Sequence, residues 1–89
     1  MTVPSDYNHN PMTYDALLEL SYEISGRYVA WAEAAKTQHE DEHWMREAMK
    51  LRREVREVDP YSRSSVENKR MELRERLAAL PAEAPMLSA

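Results

Sequence analysis

In three stretches between Leu17 and Leu80 apolar residues recur mostly at every third or fourth position, and no stretch alternates apolar with polar. That spacing puts side chains on one face of a 3.6-residue helix, whereas a half-buried strand needs a period of two. The chain is therefore expected to be all-α. Three seams carry the pattern. The first is Leu17, Leu20, Ile24, Tyr28, Trp31 and Ala35. The second, Trp44, Ala48, Leu51, Val55 and Val58, advances in heptad-like steps of four, three, four and three. The third is Val66, Leu73, Leu77 and Leu80.

Capping chemistry sets the expected boundaries. Residues 1–12 mix Pro4, Pro11, Ser5, Asn8 and Asn10 without periodicity and read as a flexible arm. Thr13 has the character of an N-cap, with Asp15 complementing the helix dipole. Thr37 followed by Glu40 has the form of a capping box and restarts a helix at about residue 38. The competing arrangement, one rod from Tyr14 to Val58, would be roughly 67 Å long at about 1.5 Å per residue and would bury little of its own apolar surface. Asp59-Pro60 ends the second helix, with Asp59 able to cap the third and Ser64 with Glu67 offering a later capping box. Pro81 stops the third helix, and residues 82–89 read as a frayed tail. The expected domain is thus residues 13–81, a small antiparallel three-helix bundle with helices at about 14–36, 38–58 and 60–80.

The material for its core is thin. Leu, Ile, Val and Phe number 14 of 89 residues, and Met, Tyr, Trp and Ala must supply the rest. With no cysteine, disulfide staples, thiolate metal sites and thiol chemistry are excluded. No segment has the apolar length of a membrane span, and the first residues lack the pattern of a signal peptide, so a cytoplasmic location is expected. A net charge of −4 argues against general nucleic-acid binding. The single glycine, Gly26, rules out a glycine-rich phosphate cradle, so no cofactor is expected.

His39-Glu40-Asp41-Glu42-His43 satisfies the zincin pattern H-E-x-x-H. The pattern sits at a helix start crowded with acids, no further His or Gly extends it, and three short helices offer no cleft beside a third ligand. His39 and His43 are accordingly read as part of a solvated, charged helix start, and catalysis is not expected.

The first helix is more informative. With Leu17 at the centre of the core face and about 100° per residue, Asp15, Glu19 and Glu23 fall on the opposite side as an acidic stripe. Arg27 lies one turn from Glu23 and is placed to answer it. Between stripe and core runs a second apolar row, Leu18, Tyr22 and Val29, with Gly26 beside it permitting close backbone approach. In one reading this row packs on the third helix and the acids are solvated. In the other, Asp15, Leu18, Glu19, Tyr22, Glu23, Gly26 and Val29 form a partner-binding face, with Tyr and aliphatic anchors flanked by carboxylates. On the second helix, Arg46, Lys50, Arg52, Arg53 and Arg56 interleave with Glu47, Glu54 and Glu57, which predicts ordinary intrahelical pairing.

In size, in its lack of cysteine, in its acidic balance and in its Tyr-rich first helix, the chain resembles the epsilon-type antitoxins that silence zeta-type toxins. The segments TYDALLELSYEISGRYVAWAEAAK and REVDPYSRSSVENKRMELRERLAALPA also look like small bacterial proteins encoded beside such kinase-like toxins. The resemblance implies a helical inhibitor that blocks the nucleotide site of a P-loop-type kinase, as part of a homodimer or a heterotetramer. The alternatives are a helical adaptor that dimerises through the second seam, or a chaperone of a partner protein.

Overall fold

A computed structural model of the chain describes residues 11–87. It contains three helices: α1 (Pro11–Glu33), α2 (Gln38–Arg56) and α3 (Arg63–Ala79). The expected all-α three-helix architecture is therefore present. The expected arm lies largely outside the described residues, apart from Pro11 and Met12, which belong to α1. Proline suits the first helical position, where its missing N–H is not needed. Thr13 is consequently inside the helix and does not cap it.

Thr37 does what its spacing predicts. It is extended (φ −129°, ψ 155°), and its Oγ1 accepts from the Glu40 amide at 3.2 Å. Glu40 and Asp41 fill the first turn of α2, where the dipole favours them. This cap interrupts the chain after Glu33, so the single-rod alternative does not form.

The α2–α3 junction differs from expectation. Asp59 Oδ1 accepts from the Tyr61 amide at 2.9 Å, and the Asp59 carbonyl accepts from Ser62 N at 3.1 Å. That closed turn takes up Asp59 and Pro60, so α3 starts later than residue 60. Its cap is the buried Ser62, whose Oγ accepts from Ser65 N at 3.3 Å. Neither Asp59 nor the Ser64–Glu67 pair caps α3.

α1 is the central element and packs against both α2 and α3, while α2 and α3 touch each other only slightly. The core comprises Leu17, Ile24, Tyr28, Trp31 and Ala32 from α1, Trp44, Ala48, Leu51 and Val55 from α2, and Val66 and Leu73 from α3. The first two seams are thus largely buried as predicted, with Leu20, Ala35 and Val58 only half-buried. At the α1–α2 turn, Trp44 stacks on Tyr28 (5.8 Å, 16°) and meets Trp31 edge-on at 4.8 Å. Trp44, Ala48, Leu51 and Val55 of the second seam thus lie inside the bundle.

The third seam is weaker, because Leu77 and Leu80 are half-buried. Ion pairs supplement it. Lys69 Nζ lies 3.0 Å from Glu54 Oε1 and 3.1 Å from Glu72 Oε2. Arg76 reaches both Glu54 oxygens, at 3.3 and 3.4 Å, and Glu72 Oε1 at 2.9 Å. Burial alone would raise the Glu54 carboxyl, but hydrogen bonds from Arg76 and Lys69 outweigh it and hold Glu54 below its ordinary range. Burial would likewise lower Lys69, and its bonds to Glu54 and Glu72 hold it above its ordinary range.

After α3 the chain turns back along the bundle. The Pro81 carbonyl accepts from Arg27 Nη1 at 3.3 Å, and Leu87 packs against the core. Residues 82–87 line a depression with Trp31, Ala34, Ala35, Lys36 and Glu40, at the α1–α2 turn. Residues 88 and 89 lie outside the described residues.

Candidate partner-binding surface

Because α2 and α3 flank α1 without closing over it, the outer side of α1 stays open. Asp15, Glu19, Tyr22, Glu23 and Gly26 are all exposed, and Leu18 and Val29 are half-buried. The predicted face therefore exists as a surface, and its two halves have different surroundings.

Glu19 and Glu23 line a groove with Ala16 and Leu20 of α1 and with Arg70 and Arg74 of α3. The groove thus carries both signs of charge, with no ion pair formed across it among the described residues. Arg27, expected to answer Glu23, instead donates to the Pro81 carbonyl, because the chain returns past it after α3. In the same groove Arg70 Nε is buried without a hydrogen-bond partner, while its Nη2 lies 3.8 Å from Glu67.

Leu18 and Tyr22 belong to the opposite flank. They line an open groove of about 230 Å³ with Tyr14 and Ser21 of α1 and Arg52, Val55 and Arg56 of α2. This second apolar row was expected on α3 if it packed inside the chain. It lies beside the C-terminal half of α2 instead, because α3 occupies the Glu19/Glu23 side. Tyr22 keeps 61% of its surface exposed. Gly26 is open as well, and a Cβ placed on it would meet nothing within 4 Å. Among the described residues, then, no other element closes on the position of its Cβ.

The intrahelical pairing predicted for α2 forms in only one place, between Lys50 and Glu47 at 3.6 Å. Glu54 turns to α3, and Arg46, Arg52, Arg53 and Arg56 make no ion pair among the described residues. Arg52 and Arg56 lie outside the face that helix periodicity predicts. The usable signal was local: Arg52 has no acid three or four positions away on either side. Met45 (40% exposed) and Met49 (61%) continue their row on α2 at the same three- and four-residue spacing.

His39 is exposed, and His43 is half-buried with its ring edge-on to Trp44 at 4.5 Å. Among the described residues no three His, Cys, Asp or Glu side chains are grouped so that they could hold a metal. No helix among them is long and apolar enough to cross a membrane.

Compared with protein-family profiles, with curated proteins and with solved structures, the chain shows no significant match in any of the three.

Proposed function

We propose that this chain is a helical binding protein that acts by covering a surface of a second protein, and that it serves as the antitoxin of a kinase-like toxin. The observation that carries the binding role is the exposed Tyr22, set among half-buried Leu18 and Val29 and next to the open Gly26. An aromatic ring with an apolar body and a polar tip is the kind of anchor that dominates protein interfaces. The glycine gives a partner access to the α1 backbone. The inhibitory mode, occlusion of a nucleotide site, comes from the family resemblance.

Arg70 and Arg74 share the groove of Glu19 and Glu23, which makes that side mixed in charge and shifts weight from the acidic stripe to the apolar row. In a bacterial host, co-expression of the full chain with a kinase-like toxin encoded beside it is expected to relieve growth arrest and to yield a co-purifying complex that no longer binds nucleotide. Tyr22→Asp and Val29→Asp variants that keep wild-type ellipticity are expected to lose protection, and Asp15→Arg/Glu19→Arg to lose less. A complex that still binds nucleotide would make the chain an escort. Persistent growth arrest with no complex would refute the antitoxin reading.

A further inference from the structure

We infer that the groove between Tyr14, Leu18 and Tyr22 of α1 and Arg52, Val55 and Arg56 of α2 is a docking site for an acidic amphipathic helix of a partner protein. The inference rests on the reading of the outer side of α1 as a partner surface, and it adds the chemistry of what docks there.

Charge complementarity selects this occupant. Arg52 and Arg56 lie one turn apart on the same side of α2, are both exposed and make no ion pair among the described residues. Two guanidinium groups at that spacing repel each other. The helix dipole favours cations in the last turn of α2, which accounts for Arg53 as readily as for Arg56. It does not account for two unpaired arginines on the wall of one apolar groove. Two other arginines are used internally, Arg76 on Glu54 and Glu72 and Arg27 on the Pro81 carbonyl. Among the described residues no carboxylate engages Arg52 or Arg56, and a guanidinium donates to a carboxylate in a two-pronged geometry.

Size argues against a drug-sized ligand. A groove of about 230 Å³ falls below the range of small-molecule sites, which begins at about 300 Å³. It has room for the anchoring side chains of a helix laid along it, with leucine- or methionine-sized groups against Leu18 and Tyr22. Met45 and Met49 extend the apolar strip along α2, and unbranched methionines adapt to such a partner.

The test uses the full chain and two dye-labelled, N-acetylated helical peptides. Both carry leucines on one face; one flanks them with glutamates and the other with lysines. In fluorescence anisotropy the glutamate peptide is expected to bind. Its affinity should fall about tenfold or more in Arg52→Glu/Arg56→Glu, and a similar amount in Tyr22→Ala. The lysine peptide should bind the doubly reversed variant better than it binds the wild type. Arg52→Gln/Arg56→Gln serves in the same role if the reversal disturbs the fold. Equal binding of both peptides, or full competition by polyglutamate, would overturn the inference. So would a concentration-dependent dimer abolished by the same arginine changes, which would assign the groove to a second copy. Growth protection that persists in Arg52→Glu/Arg56→Glu, with no peptide binding, would remove the acidic helix and leave the antitoxin reading standing.

Discussion

Leu73→Ala tests the architecture at its weakest joint. Leu73 and Val66 are the only buried apolar side chains that α3 contributes, and Leu73 is fully inaccessible. Removing three carbons at roughly 0.8 kcal/mol per buried CH₂ costs about 2.4 kcal/mol in transfer free energy. The cavity left behind brings the total to about 3–4 kcal/mol. A chain of 89 residues has of the order of 9 kcal/mol at roughly 0.1 kcal/mol per residue, so the loss is a large fraction of the whole. Because the apolar docking of α3 is on α1, with α2 reached through the Glu54 ion pairs, the cost falls mainly on α3. Both tryptophans report on the α1–α2 pair, where their rings lie 4.8 Å apart, and far-UV ellipticity reports on all three helices. In urea, the wild type is expected to show coincident transitions by the two probes. In Leu73→Ala, ellipticity should begin to fall at lower urea than tryptophan emission, as α3 leaves first. Coincident transitions with a loss under about 1 kcal/mol would refute the idea that Leu73 is the main apolar attachment of α3.

Stability should be greatest across the neutral range and fall at both extremes. Glu54, held below its ordinary value, contributes stability that is present above the unfolded carboxyl pKa and lost as pH drops through its folded value. Lys69, held above its ordinary value, contributes below its unfolded pKa and loses the contribution as pH rises through its folded one. Melting curves of wild type and Glu54→Gln should therefore differ at neutral pH and converge in acid; a gap independent of pH would contradict the assignment. Thr37→Ala should lower stability by about 1 kcal/mol through the lost amide acceptor, measured by urea unfolding. Gly26→Ala should raise it by about 0.5–1 kcal/mol, since the position is helical and its Cβ meets no neighbour. A drop in melting temperature for Gly26→Ala would mean that the site is crowded after all.

The helices were legible because their information is local. Trp44, Ala48, Leu51 and Val55 are set by spacing, and all four are buried. Thr37 and Glu40 are three apart, and their amide-to-hydroxyl bond forms as read. Errors appear where two local solutions compete. Asp59, Ser62 and Ser64 can each accept a hydrogen bond from a nearby amide. The structure uses Asp59 for the turn and Ser62 for the cap, leaving Ser64 inside α3. Pro81 ends α3 as its type predicts, but its carbonyl meets Arg27 across 54 positions of sequence, which no local rule reports.

The surface was harder to read because charge pairing here is decided between helices. Local spacing offered Glu23 to Arg27 and the acids of α2 to its own arginines. Short turns bring α2 and α3 to opposite flanks of α1, and this changes the neighbours of every rim residue. Glu54 then meets Lys69 and Arg76, Glu19 and Glu23 face Arg70 and Arg74, and Arg27 reaches Pro81. Each reassignment removes an acid or a base from the pairing expected along its own helix. Arg52 and Arg56 are left over on the flank where α3 is absent, beside the apolar row of Leu18 and Tyr22. The apolar half of the face could be found from helix periodicity alone. Its charge could not, because the sign of the groove depends on which flank α3 takes, and α3 carries its own arginines to the acidic side.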